Sequence, residues 1–76
     1  MKSINISLNS IDKVKSFVNI IASYEGDFDL SSDRYVVDAK SIMGIFSLDL
    51  GKSLKLDIHN DEEAAKVEAQ LKEFIV

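Results

Sequence analysis

The chain has 76 residues and a formal net charge of −4, with 46% hydrophobic residues, 29% charged residues and no cysteine. That length predicts a single domain over residues 1–76, burying only about 60% of its unfolded surface, and the composition is globular rather than disordered. Without cysteine there is no disulfide, thiolate catalysis or sulfur-ligated metal, and nine Lys and Arg scattered among thirteen Asp and Glu form no basic face for nucleic acid.

In chain order, Ile4, Ile6 and Leu8 alternate with Ser3, Asn5 and Ser7, which predicts a strand with one buried face. Asn9 or Ser10 caps the helix that follows, and Asp12 suits its positive end. Ile11, Val14, Phe17, Val18, Ile21 and Tyr24 recur at helical spacing and predict its buried stripe. Glu25-Gly26-Asp27 ends it, with Gly26 as the left-handed residue. Phe28 and Leu30 begin a second strand, Ser31-Ser32-Asp33 has the composition of a turn, and Arg34–Asp38 returns as the other half of a hairpin.

A short helix of about two turns is predicted from Ser41, a good N-cap, with Gly51 as a stop. Ile42, Met43, Ile45, Phe46 and Leu48 are too many apolar groups for one buried stripe, so some should face outward and serve a partner. Gly44 within such a helix points to a close backbone approach. Leu54, Leu56 and Ile58 alternate with Lys55 and Asp57 in a fourth strand. The last helix opens on Asn60 with Glu63 three residues on, the spacing of a capping box. Its stripe is Ala64, Val67, Leu71, Phe74 and Ile75, and Glu68 and Lys72 stand as an i,i+4 pair.

The order is β-α-β-β-α-β-α. Strands with one apolar face each predict an α+β fold, an open-faced sandwich with a four-stranded antiparallel sheet and three helices on one side. A ferredoxin-like domain with an extra helix is the nearest alternative by periodicity. No apolar run is long enough for a signal peptide or membrane span, which predicts a cytoplasmic protein.

Lys40-Ser41-Ile42-Met43-Gly44-Ile45, followed by Ser47-Leu48, resembles the regulatory-serine segment of the HPr family. HPr is the histidine-containing phosphocarrier of the bacterial sugar phosphotransferase system. Chain length and element order fit the same family, whose open-faced sandwich the resemblance also implies.

The resemblance also implies a phosphate-accepting histidine near the start of the first helix, closely followed by an arginine and a proline. The matching stretch here, Asn9-Ser10-Ile11-Asp12-Lys13-Val14, has none of the three. A serine hydroxyl at Ser10 would not form the labile phosphoramidate that hands phosphate onward. The resemblance further implies that Ser41 is the residue modified by HPr kinase/phosphorylase, and that exposed residues of the short helix dock partner proteins. Ile42 and Met43 are the expected exposed pair, with Phe46 next. The implied partners are other phosphotransferase-system components, HPr kinase/phosphorylase or a transcription regulator.

His59, the only histidine, lies near the end of the fourth strand without motif context. It is a weak alternative phosphate acceptor and, by residue type, more simply a surface histidine. Lys13, Lys15 and Lys40 are expected near one another, as an anion contact or a solvated face. No metal cluster, cofactor motif or catalytic constellation is visible, so no enzyme activity is expected. Three functional readings follow. The chain is a regulatory, protein-binding HPr relative without phosphocarrier activity, a working phosphocarrier with an unusual acceptor, or a structural module whose apolar helix face drives homo-oligomerisation.

Overall fold

In the computed structural model, which describes residues 1–76, the alternating and helical patterns become one sheet and one helical layer. The elements are β1 (Lys2–Ile6), α1 (Ile11–Ala22), β2 (Phe28–Ser32), β3 (Tyr35–Asp38), α2 (Ile42–Phe46), β4 (Leu54–Ile58) and α3 (Ala64–Gln70), followed by a 3₁₀ turn at Lys72–Phe74. The sheet order is β1-β4-β2-β3. β4 runs antiparallel to β1, with Ile6 opposite Leu54, and antiparallel to β2, with Phe28 opposite Ile58. β3 returns along β2 with Ser32 opposite Tyr35.

Because strand side chains alternate between faces, this register puts Ile6, Phe28, Leu30, Leu54, Leu56 and Ile58 under the helices, all buried. Ser3, Asn5 and Lys55 lie on the water side, where the Ser3 hydroxyl bonds Asp57. Val14, Phe17 and Ile21 from α1, Ile45 from α2, and Ala64 and Val67 from α3 complete the core with Ala39, Leu48, Leu71 and Phe74. Full burial of one Leu, Ile or Phe is worth about 1.5–3 kcal/mol, against about 0–1 kcal/mol for a surface ion pair. Packing therefore outweighs surface charge in holding the fold. No helix is long and apolar enough to cross a membrane.

Four expectations from the sequence need correction. The hairpin turn is Asp33-Arg34 rather than Ser31-Ser32-Asp33, and β3 begins at Tyr35. Serines with a strand alongside take up the ladder despite their turn propensity. Asp33, with φ 52°, supplies the left-handed residue of the tight turn. Ile11 is 61% exposed, so the buried stripe of α1 starts one turn later, at Val14. Spacing along a helix cannot say where the layer beneath it ends.

The last helix is also shorter than expected. It runs regularly to Gln70, tightens into the 3₁₀ turn and then becomes extended. Ile75 leaves the stripe and pairs with Ile6. The Ser7 N–H donates to the Phe74 carbonyl at 2.8 Å, and the Val76 N–H to Asn5 at 3.1 Å. The open edge of β1 offered unpaired backbone groups, and the chain end satisfies them. With Lys72 in the 3₁₀ turn, Glu68 pairs instead with Lys2 at 3.0 Å.

The left-handed Gly26 stands, whereas the last helix starts at Ala64 and not on Asn60. Gly26 has φ +98°, and a Cβ there would lie 3.2 Å from that of Asn60. Asn60 Oδ1 accepts from the Glu63 N–H at 3.2 Å, while its amide donates to Glu63 Oε1 and to the Glu25 carbonyl. These bonds hold the turn that leads into α3 and anchor the loop after α1, but Asn60 is not the cap of α3, whose N-cap is Glu63 without a side-chain cap bond.

Candidate interaction site

Asp38-Ala39-Lys40-Ser41 carries the chain from β3 into α2. The Asp38 carboxylate accepts from the Lys40 N–H at 2.9 Å, and the Asp38 carbonyl accepts from the Ser41 N–H at 2.9 Å. This is the local turn chemistry that Asp favours. Ser41 is extended and exposed, and its hydroxyl accepts from the Gly44 N–H at 3.2 Å, so it is the N-cap of α2. The helix is shorter than two turns and ends at Phe46 with Ser47 as its C-cap. Gly51 is not its stop; it belongs to a later turn in which its N–H donates to Asp49 at 3.0 Å.

Residues three apart share a helix face, and this splits the apolar residues of α2 into two rows. Ile42 and Ile45 face inward; Ile45 is buried and Ile42 packs partly buried against the core. Met43 and Phe46 face outward, 76% and 41% exposed. The exposed pair is therefore Met43 and Phe46, not Ile42 and Met43. Gly44 makes the expected close approach: a Cβ there would sit 3.3 Å from both Val37 Cβ and Ser41 Oγ. That proximity lets α2 lie against β3, and α2 also touches α1.

Lys40 does not join Lys13 and Lys15. Its Nζ donates to the Tyr24 carbonyl at 2.6 Å and lies 5.1 Å from the centre of the Phe28 ring. Tyr24 follows the end of α1, whereas Lys13 lies in its first turn. Twelve helical residues, about 18 Å, separate those ends. Reading the sequence missed this tie, because a lysine's reach for a carbonyl sixteen residues away leaves no periodic trace.

The start of α1 has a related but different build. Ser10, not Asn9, is its cap, accepting from the Lys13 N–H at 3.2 Å. Asp12 stands in the first turn. Asp12, Lys13, Ser16, Glu73 and Phe74 line an open depression of about 200 Å³. Two carboxylates and one ammonium group make this a poor place for a phosphoryl group.

His59 is on the water side of the sheet, its Nε2 2.8 Å from Asp29 Oδ2. It follows Ile58, at the far end of β4 from Leu54, which pairs with the end of β1 leading to α1. Five strand residues, about 16 Å, separate those two ends, so His59 is not brought to the start of α1. No three His, Asp or Glu side chains converge as a metal site.

Known proteins resemble this arrangement. The model of the family described as the PTS HPr component phosphorylation site matches residues 13–76. The structure is similar to that of HPr-C-His from Thermoanaerobacter tengcongensis, with a TM-score of 0.75 and 30% identity, covering 96% of this chain and 92% of that one. It is also similar in fold to phosphocarrier protein HPr from Bacillus anthracis, with a TM-score of 0.68 and 24% identity, covering 99% of this chain and 94% of that one. No functionally curated protein matches significantly. The chain belongs to the HPr family of the phosphotransferase system. Its architecture is the HPr fold, which the likeness to solved structures favours over the ferredoxin-like alternative. Of the stretch Asn9–Val14, which the resemblance matches to the acceptor segment, residues 9–12 precede the matched range and Lys13 and Val14 fall within it.

Proposed function

We propose that this HPr-family chain is a cytoplasmic protein-interaction module, a single domain that does not carry phosphate through a histidine at α1 and is regulated at Ser41. The observation that carries this reading is the contrast between its two helix starts. At α1, Asn9–Val14 contains no histidine, arginine or proline, and Asp12 and Glu73 share the depression beside the cap. A phosphoryl group arriving there would meet two carboxylates against one ammonium group and no imidazole nucleophile.

Ser41, by contrast, is exposed, and no acidic residue occupies the first turn of α2. A phosphate on a helix cap is held favourably by the free amides and the dipole, so modification would change surface charge without unfolding α2. Beside it, Met43 and Phe46 offer an apolar contact, with Ile42 beneath as support. Methionine adapts readily to a partner surface. The partner classes that fit are phosphotransferase-system components, HPr kinase/phosphorylase and a transcription regulator that reads the modified form. The chain performs no catalysis of its own in this reading.

The deciding experiment is intact mass with site mapping after incubation with ATP and an HPr kinase/phosphorylase from the same organism. One phosphate, on Ser41, is the expected result. Its absence would leave Ser41 as a cap alone and remove the regulatory part of the reading. A companion incubation with phosphoenolpyruvate and enzyme I should give no labelling. Labelling that disappears in His59→Gln would replace the proposal with a carrier using an unusual acceptor.

A further inference from the structure

Lys40 joins two helix ends of opposite polarity. It stands one residue before Ser41, the cap of α2, and its Nζ donates to the Tyr24 carbonyl at 2.6 Å, two residues beyond the end of α1. The last turn of α1 contains no basic residue of its own. The carbonyls at a helix C-terminus carry the negative end of its dipole, so the cation that meets them here comes from a distant segment. Tyr24 belongs to that end through its N–H, which donates to the Ile21 carbonyl at 3.1 Å. The next carbonyl, of Glu25, accepts from the Asn60 side chain at 2.9 Å. The bond from Lys40 therefore starts a tie that runs from α2, through the end of α1, to the turn leading into α3.

The ammonium has only neutral partners. Besides the Tyr24 carbonyl it lies 5.1 Å from the centre of the Phe28 ring, and Lys40 is in none of the ion pairs within the chain. The Asp38 carboxylate, two residues away, accepts from the Lys40 backbone N–H instead. Lys40 is half-buried, so its charge is screened less than that of an exposed lysine. An anion within its reach outcompetes a carbonyl, because a hydrogen bond with both partners ionised is stronger than one with a neutral acceptor. The exposed Ser41 is the neighbouring residue. The flexible four-carbon stem of a lysine lets the ammonium leave one helix end for the other.

We propose that Lys40, given the regulatory reading of Ser41 on which this rests, relays the state of Ser41 to the end of α1. A phosphate on the Ser41 hydroxyl adds about −1.5 to −2 of charge one residue from the ammonium. The ammonium moves to the phosphate, the Tyr24 carbonyl loses its donor and the Phe28 ring loses its cation. The last turn of α1 and the loop after it then loosen, so modification changes the surface at the end of α1 as well as at α2. Lys13, in the first turn of α1, takes no part.

The test compares, by NMR, the unmodified protein with one carrying phosphoserine at position 41, incorporated during synthesis. No kinase is used, so failure of the kinase reaction bears on the functional reading alone. The expected result is loss of the nuclear Overhauser contacts between the Lys40 ε-methylene and the Phe28 ring. Amide exchange at Ser23 and Tyr24 should become roughly tenfold faster, the scale of one lost charge-assisted hydrogen bond. In Lys40→Met, which keeps a stem without the charge, exchange at these amides should already be fast, and phosphoserine should add nothing. Lys40–Phe28 contacts that persist beside phosphoserine overturn the proposal, as does unchanged exchange at Ser23 and Tyr24. So does an equal response to phosphoserine in Lys40→Met, which would route the effect through the packing of α2 on α1. The comparison in the otherwise wild-type chain decides by itself if Lys40→Met folds poorly.

Discussion

Two helices in this chain start on a serine that caps the third residue beyond it, and both cap distances are 3.2 Å. Ser10 leads into twelve residues that put Val14, Phe17 and Ile21 into the core. Its surroundings are acidic, and the 3₁₀ turn lies beside it. Ser41 leads into five residues that bury one side chain and present Met43 and Phe46 to solvent. The same capping bond thus serves a packed helix in one place and an open, solvent-facing surface in the other. A helix start is not by itself a phosphate site; the nucleophile, neighbouring charges and exposure decide what it can do.

The contrast can be broken most strongly from beneath α1. Phe74 meets Phe17 edge-on, with ring centres 6.1 Å apart, and its backbone carbonyl holds Ser7. Phe74→Ala should cost about 3–5 kcal/mol in urea unfolding, with early loss of amide protection at Ser7. Stability that changes by less than about 1 kcal/mol would mean that the start of α1 is not held from below.

At α2 the sharper probe is Gly44→Val. Branched bulk against Val37 and the Ser41 hydroxyl should cost about 1–3 kcal/mol, measured the same way. A neutral result would show that α2 can move off β3 freely.

The caps themselves come next. Ser10→Ala and Ser41→Ala should each cost about 1 kcal/mol, whereas Ser41→Asp should hold nearly wild-type stability because aspartate also caps. Thermal melts of the three variants separate the structural role of Ser41 from the proposed modification, since both Ser41 variants would lose the proposed site of labelling. The smallest effect belongs to Lys2–Glu68, a half-exposed pair at 3.0 Å. Glu68→Gln should shift stability by about 0.5 kcal/mol or less.

Most of the fold was legible because its signals are local. Alternation in Ile4–Ile6 and Leu54–Ile58, helical spacing through Val14, Phe17 and Ile21, and the cap at Ser41 each involve residues a few positions apart. Part of the candidate site was legible too. Ser41 as a cap, Met43 as an exposed side chain and the close approach at Gly44 follow from spacing and residue type. The order of exposure of Ile42 and Phe46 is not legible, because five apolar residues in a short helix give no unique inward direction. The α2–β3 contact supplies that direction by holding Ile42 and Ile45 inward.

The sequence by itself determined the element order, the Ser41 cap, the left-handed Gly26 and the absence of a histidine from Asn9–Val14. Each depends on chain neighbours or on residue identity alone. Only the tertiary structure decided that Lys40 binds the end of α1, that His59 meets Asp29, that Ile11 stays in water, and that the chain end closes β1 while β3 stays open. Those outcomes rest on contacts between segments distant in the chain. Such contacts follow from how layers stack and where they end, which no local pattern of side chains encodes.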